Sequence, residues 1–381
     1  MIKSNTDALG IIFPNSYDTV VPELVVDRTM ASIPFAGRYR MIDFVLSSMV
    51  NCGIDNISVI VRKNYHSLMD HLGAGREWDL TRKNGGLNIV PPFAQAEIKS
   101  YSGRVDGLAS ILNFLRSQKE KYVVVTNANI AVNFDFNKLI RSHIEKEADI
   151  TIAYMDYEIP AHYKRPGKEP KEQYYTLKMD ENGQVQNIII NDMSDGVQNF
   201  GMCIYAFERE FLIKEIEIAH RHGYVHLERD ILIPKLSSLK IMGYKYEGYA
   251  ARIDNMKGYF DENMKLLKAE NLDALFNPSP VYTKIRDDNP TRYITGASAK
   301  NVMVADGCVI EGEVENSVLF RGVKIGKGAK IKNCILMQDT VIEDGATLEY
   351  VITDKRAHIT AGKELKGEDT FPSFIPKGHL V

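Results

Sequence analysis

The stretch Leu9–Leu24, LGIIFPNSYDTVVPEL, decides how the first half of this chain is read. Leu9, Ile11, Ile12 and Phe13 form a short apolar run, like the first strand of a nucleotide-binding domain. Such a strand should turn through glycines that let backbone N–H groups approach phosphate. Here the next glycine after Gly10 is Gly37, and the loop reads Pro14-Asn15-Ser16-Tyr17-Asp18. The strand is present, and the phosphate cradle that should follow it is not.

Working outward, short β-branched runs alternate with helical patterns as far as about residue 275: GIIF, RMIDFVLSSMVNCG, NISVIV, then a long loop, LASILNFLRSQKEK and YVVVTN. Further strands are expected at DITIAYM, VQNIII, GMCIYAF and KIMGYKYEG, with helices near FNKLIRSHIEKEA and DNMKGYFDENMKLLKAE. This alternation predicts a doubly wound, mostly parallel α/β sheet of the Rossmann-like type. In Met41–Gly53, Met41, Ile42, Val45, Leu46, Met49 and Val50 share one helical stripe, and Gly53 is placed to end the helix.

The segment 276–298 holds three prolines and no clear period, which predicts a linker lying across a surface. Beyond it, Leu319, Ile325, Ile331 and Met337 are spaced by six, and Leu336, Ile342 and Leu348 continue that spacing in a shifted frame. Turns such as Gly326-Lys327-Gly328 and Asp344-Gly345-Ala346 fall between them. Hexad spacing is the signature of a left-handed parallel β-helix, whose aliphatic residues point to the coil axis. The chain therefore divides into an α/β domain over 1–275, the linker 276–298 and a β-helix over 299–381.

Composition narrows the function. The 381 residues are 44% hydrophobic and 25% charged with a net charge of −3, which offers no general attraction for nucleic acid or an acidic membrane. No run of about 18 apolar residues occurs and the N-terminus MIKSNTDALG lacks a signal-peptide core, so a cytoplasmic location is expected. Cys52, Cys203, Cys308 and Cys334 form no CxxC pair and read as reduced, buried thiols. His220, His222 and His226, with Glu228 as the sole added ligand, do not complete a metal site, and none is expected. The basic stretches Arg62–His66 and Arg76–Lys83 read as solvated faces.

The block Ile33–Ser48, IPFAGRYRMIDFVLSS, resembles the PAVPFGGKYRIIDFPLSN block of glucose-1-phosphate adenylyltransferases, also called ADP-glucose pyrophosphorylases. YSGRVD at Tyr101–Asp106 stands where that family has YRGTAD, and ILIPK at Ile231–Lys235 matches its DLIPK. With the hexads, the resemblance covers nearly the whole chain. It implies descent from enzymes that join ATP and glucose-1-phosphate with release of pyrophosphate, chemistry that depends on cations neutralising developing charge.

The same resemblance locates the positions that should carry this chemistry. Pro14 and Asn15 lie where the family has its LAGGRGTRL loop, and Met30 stands at the lysine of RAKPAV. Asn129 stands at the first metal aspartate, in AGDH. The second, in WRDVGT, falls on Arg252 or, with a shift of two residues, on Asp254. Ile190-Asn191-Asp192-Met193 replaces the FVEKP block and its sugar-phosphate lysine. So many losses make the resemblance one to the GlgD-type subunit that accompanies a catalytic subunit. It implies a regulatory, non-catalytic chain with no cofactor of its own, in a hetero-oligomer, a tetramer with two chains of each kind. Magnesium then belongs to the catalytic partner.

Three positions keep two readings each. Arg38 and Arg40 suit an anionic sugar-phosphate effector, because guanidinium groups grip phosphate oxygens in pairs, or Arg40 forms a local ion pair with Asp43. Asp106 keeps the family's residue for residual nucleotide contact or caps the following helix. The alternatives for the whole chain are an active nucleotidyltransferase with altered groups, using Asn129 and Asp254 for metal, and a hexapeptide acyltransferase acting through His358.

Overall fold

The computed structural model describes residues 6–92, 101–160 and 174–381; residues 1–5, on which part of the signal-peptide reading falls, lie outside them. The chain forms two compact units, one of Met1–Thr19, Val45–Ala128 and Phe134–Gly248, the other of Val20–Phe44, Asn129–Asn133 and Tyr249–Val381. Among the described residues no helix is long and apolar enough to cross a membrane.

The first unit is built on a nine-stranded sheet. Its strands are β1 (Ala8–Phe13), β2 (Asn56–Ile60), β3 (Gly86–Val90), β4 (Tyr122–Asn127), β5 (Ile150–Glu158), β6 (Tyr175–Met179), β7 (Val185–Ile190), β8 (Val197–Glu208) and β9 (Ile241–Lys245). β1 lies parallel between β2 and β4, with Gly10 opposite Ile57 on one side and Val124 on the other. β3 adds in parallel beside β2. β8 enters antiparallel beside β4 and carries β5 and β6, with β7 antiparallel on β6 and β9 parallel to β5. The continuous apolar run of β1 follows from this central place, where every residue of the strand is buried.

Helix α1 (Met41–Asn51) forms where the apolar stripe predicts it. Its end is a Schellman turn: Gly53 at φ +79° donates to Val50 O, and the next N–H, from Ile54, reaches Met49 O. Gly10 lets this helix approach β1, since a Cβ there would stand 2.6 Å from Met49 Sδ. The pattern LASILNFLRSQKEK folds as two helices, α3 (Arg104–Ser110) and α4 (Leu112–Ser117), after α2 (His66–Leu72). Ile111, at φ −109° and ψ 12°, separates the two. α5 (Phe136–Glu145) is capped by Asp135, whose carboxylate accepts the Lys138 N–H, and α6 (Arg209–Arg221) follows β8. β3 and β6 are strands that the sequence pattern does not reveal.

The second unit contains α7 (Met256–Lys265), α8 (Ala269–Phe276) and the pairing of Ile130–Val132 with Ala250–Arg252. Its largest part is a parallel β-helix from Arg292–Tyr293 to Ser373–Ile375. Leu319 stacks on Leu336 and then Thr353; Ile325 on Ile342 and Ile359; Ile331 on Leu348 and Leu365. Each of these coils is thus seventeen residues long, two hexads and a pentad. That pentad is the frame shift seen in the sequence, and it corrects one expectation: Leu336, not Met337, takes the position beneath Leu319.

The corners of the coil need left-handed backbone. Asn301, Asn316, Asn333 and Tyr350 take φ of 52°, 44°, 50° and 53° at one corner, and Asn301 Nδ2 donates to Asn316 Oδ1 at 2.8 Å. Asparagine tolerates this region because its short side chain bonds locally. Inside, Cys308, Ile310, Val314, Leu319, Ile325, Ile331, Leu336, Ile342 and Leu348 form one apolar core. Each aliphatic side chain buried there stabilises the coil by about 1.5–3 kcal/mol.

Candidate functional site

Where β1 ends, the loop is held by side chains. Asn15 Nδ2 donates to Asp18 Oδ2 at 2.8 Å and to Lys63 O at 3.0 Å, while its Oδ1 accepts the Arg62 N–H at 2.8 Å. One amide therefore clamps the loop to the segment that follows β2. Pro14 brings no N–H, and Tyr17 sits at φ +67°, a backbone region that a glycine enters without strain. The Tyr17 hydroxyl lies 3.6 Å from Cys203 Sγ.

This loop borders a cavity of about 150 Å³ lined by Phe13, Asn15, Tyr17, Arg62, Tyr101 and Arg104, among others. One wall is a buried polar network. Arg104 Nη1 donates to Glu228 Oε1, the Tyr205 hydroxyl donates to the same oxygen, and the Tyr175 hydroxyl donates to that of Tyr205 at 2.8 Å. Arg104 also stands over the Tyr205 ring, 5.8 Å from its centroid. Burial alone would raise the Glu228 pKa, but Arg104 and Tyr205 outweigh it and hold the carboxyl below its usual range. Burial, followed by the Glu228 charge, pushes the Tyr205 hydroxyl well above its ordinary value. The guanidinium is thus committed to an internal partner, and a polyphosphate entering here would have to compete with Glu228 for it.

Other positions of this unit have local duties. Asp106 is not the N-cap of α3, which is Gly103; from the first turn it accepts the Ser102 N–H at 3.0 Å. His220 Nδ1 lies 3.9 Å from Asp106 Oδ1, His222 Nδ1 bonds Ile218 O at 2.8 Å, and His226 lines the cavity. Where a sugar-phosphate lysine is expected, Asp192 accepts Thr176 Oγ1 at 2.5 Å and the Ser194 N–H at 2.9 Å. Arg82 pairs with Asp55 at 2.6 Å and with Asp79 at 3.1 Å.

The remaining candidates lie in the second unit. Met30 begins a short 3-10 turn and is fully buried. Asn129, 1% exposed, accepts the Ile253 N–H on its backbone carbonyl at 3.1 Å, and Arg252 lies opposite Ile130 in the strand pair, so Asn129, Arg252 and Asp254 gather at one end of it. All three are buried. An amide and one carboxylate beside a guanidinium fit a divalent cation poorly, since magnesium wants oxygen donors that neutralise it. No group of three or more His, Cys, Asp or Glu placed to hold a metal occurs among the described residues. His358 faces outward on the coil, its Nε2 2.6 Å from Glu343 Oε1. All four cysteines are free and buried.

Arg38 Nη1 lies 3.7 Å from Asp306 Oδ2, and Asp43 accepts the backbone N–H of Arg40 at 2.9 Å. Sequence reasoning missed the charges around Arg40. Arg28 Nη2 donates to both carboxylate oxygens of Asp354 at 2.8 Å, each residue being 3% exposed, and Arg28 Nη1 has no hydrogen-bond partner among the described residues. Burial, then the charges of Arg40 and Arg28, push the half-buried Lys355 down to about 6. Lys377, which also lowers it, pairs with Asp27 at 3.1 Å. No sequence spacing announces this cluster, because Arg28 and Asp354 are 326 residues apart.

Comparison with known proteins agrees with this architecture. The nucleotidyl transferase family model matches residues 24–240, and a GlmU-like C-terminal hexapeptide model matches 285–371. The Glycogen biosynthesis protein GlgD of Bacillus subtilis is 34% identical over 98% of this chain and 97% of its own length. The protein of the same name from Geobacillus stearothermophilus is 39% identical over 86% of this chain and 83% of its own. A Glucose-1-phosphate adenylyltransferase of Bacillus cytotoxicus is 28% identical over 97% of this chain and 96% of its own.

Proposed function

Because the chain belongs to the nucleotidyl transferase family, with GlgD and glucose-1-phosphate adenylyltransferase among its relatives, we propose that it is a regulatory, non-catalytic subunit of a glucose-1-phosphate adenylyltransferase serving glycogen biosynthesis. The observation that carries this reading is the loop after β1, closed by Asn15 beside a guanidinium committed to Glu228. Met30 at the expected lysine and Asn129 at the expected metal carboxylate support it, since neither supplies the charge that phosphoryl-type chemistry uses. ADP-glucose is then made by a catalytic homologue, which binds the magnesium, and this chain acts by assembling with it, two copies of each forming a tetramer.

Regulation needs a place to receive a signal. Arg38 and Arg40 remain the proposed contacts for an anionic sugar phosphate, and the neighbouring Arg28 and Lys355 strengthen that reading. An anion there would satisfy Arg28 Nη1 and restore the Lys355 charge that its cationic neighbours oppose. The deciding experiment measures ADP-glucose synthesis by this chain alone, by a catalytic homologue alone and by the two mixed, over a range of sugar-phosphate concentrations. The proposal expects no turnover alone and an altered rate or activator response in the mixture. Substantial magnesium-dependent turnover by this chain alone would favour the active nucleotidyltransferase instead.

A further inference from the structure

The regulatory reading gives the cavity beside the loop after β1 no ligand, yet the wall of that cavity is built and not collapsed. Glu228 is carried by Leu227–Leu232, a turn of π-helix, a rare winding found mostly at functional sites. Asp230 fixes the entry to that turn by accepting the Val225 and His226 N–H groups at 2.9 Å each.

Size restricts what can enter. A cavity of about 150 Å³ admits one six-membered ring with a small substituent, and neither a nucleoside triphosphate nor a nucleotide sugar fits inside it. Its walls include Phe13, Ile60, Tyr101, Tyr174, Tyr175 and Ile190. The tyrosine hydroxyls among them are turned to internal partners. Tyr101 donates to Pro91 O at 3.2 Å, Tyr174 to Asp192 O at 2.7 Å and Tyr175 to the Tyr205 hydroxyl at 2.8 Å. These residues therefore offer ring surface and not hydroxyls, which suits a flat apolar ring in offset or edge contact. A sugar ring would leave hydroxyls unpaired against those walls.

Charge fixes the substituent. Glu228 takes Nη1 of Arg104, while Nε and Nη2, the parallel pair of donors along one edge of the guanidinium, have no hydrogen-bond partner among the described residues. That edge matches the two oxygens of a carboxylate. Arg62, which also lines the cavity, is exposed and has no ion-pair partner among the described residues. With Arg62 and Arg104 set against Glu228, the charged lining sums to a single positive charge. One carboxylate balances it, and a phosphate dianion exceeds it.

We propose that this cavity binds a small aromatic carboxylate, its ring against Phe13 and the tyrosine rings, its carboxylate on the Nε and Nη2 edge of Arg104, and Arg62 the second cation. This goes beyond the regulatory reading, and because the test reads binding and not turnover, the two fail separately. The test is isothermal titration calorimetry of the full chain with benzoate as the probe and benzamide as its uncharged analogue, for wild type, Arg104→Lys and Arg62→Ala. Wild type should bind benzoate saturably with a Kd of about 1 mM or tighter, and roughly tenfold more tightly than benzamide. Arg104→Lys keeps a charge beside Glu228 but loses the planar edge, and should weaken benzoate about tenfold while leaving benzamide unchanged. Arg62→Ala should weaken benzoate about threefold, an effect that shrinks at high salt. Its side chain is exposed, so this variant keeps the fold and decides the matter should Arg104→Lys unfold the chain. No saturable benzoate binding up to about 10 mM, equal affinity for benzamide, indifference to the substitutions, or displacement of benzoate by an equal concentration of glucose-1-phosphate would overturn the proposal.

Discussion

At the end of β1 the decisive contacts join residues far apart in sequence, Arg104 with Glu228 across 124 positions, whereas in the central coils of the β-helix the axial contacts of Leu319, Ile325 and Ile331 return seventeen residues later. The first region keeps the backbone frame of a nucleotide-binding sheet while its polar side chains are turned upon one another. The second keeps its side-chain pattern because its backbone cannot coil without it. A pocket can lose its chemistry and leave its strands in place; a coil that loses its axial residues loses its core. Under the proposed non-catalytic reading, this contrast is how a chain keeps an enzyme's architecture without the charges of its reaction.

The contrast breaks most readily at the buried ion pair. Glu228→Ala strands the Arg104 guanidinium in the sheet unit and should cost about 3–5 kcal/mol, read from urea unfolding. A cost below 1 kcal/mol would mean that the network is not the keystone of the pocket wall. In the coil, Leu348→Ala should cost about 2–5 kcal/mol by opening a cavity, and Leu365→Ala at the partly open last coil clearly less. Equal costs would show that the last coil is as closed as those before it.

The loop lock offers a smaller effect. Asn15→Ala removes the amide's bonds to Asp18, Lys63 and Arg62 and should cost about 1–3 kcal/mol, with faster hydrogen exchange at the Arg62 amide. Unchanged exchange would mean that the backbone holds the loop without Asn15. Smallest is the pH effect of Lys355, whose folded pKa of about 6 lies below the ordinary value of about 10.4. Between those values the unfolded chain binds the extra proton, so this residue makes stability rise with pH. Between pH 7 and pH 9 the wild type should gain on the order of 1 kcal/mol more than Lys355→Met. A sugar phosphate bound nearby should reduce that slope, and an unaltered slope would count against Lys355 as a contact.

The two regions also differed in how far the sequence disclosed them. The β-branched runs GIIF, NISVIV and YVVVTN marked buried parallel strands because such strands are apolar throughout, and the stripe in Met41–Gly53 marked a helix with its glycine end. β3 was hidden because only its end residues Gly86 and Val90 are buried, the three between them being partly or fully exposed, so no apolar run or alternation marks it. The hexads disclosed the coil, but the pentad moved one axial position from the expected Met337 to Leu336. At the pocket, the missing glycines were plain in the sequence, while what replaced them was not. A lone Asn15, an Arg104 inside YSGRVD and a Glu228 after three histidines acquire their roles only when the loop after β1, the start of α3 and the turn Leu227–Leu232 come together. The same holds for Arg28 and Asp354, whose pairing no local pattern encodes.

Equilibrium binding of magnesium ATP to the isolated chain tests the central claim most directly. With the loop clamped by Asn15 and Arg104 held by Glu228, no saturable binding is expected up to millimolar nucleotide. Saturable binding in the micromolar range would contradict the account, because it would show that the loop after β1 still receives a triphosphate.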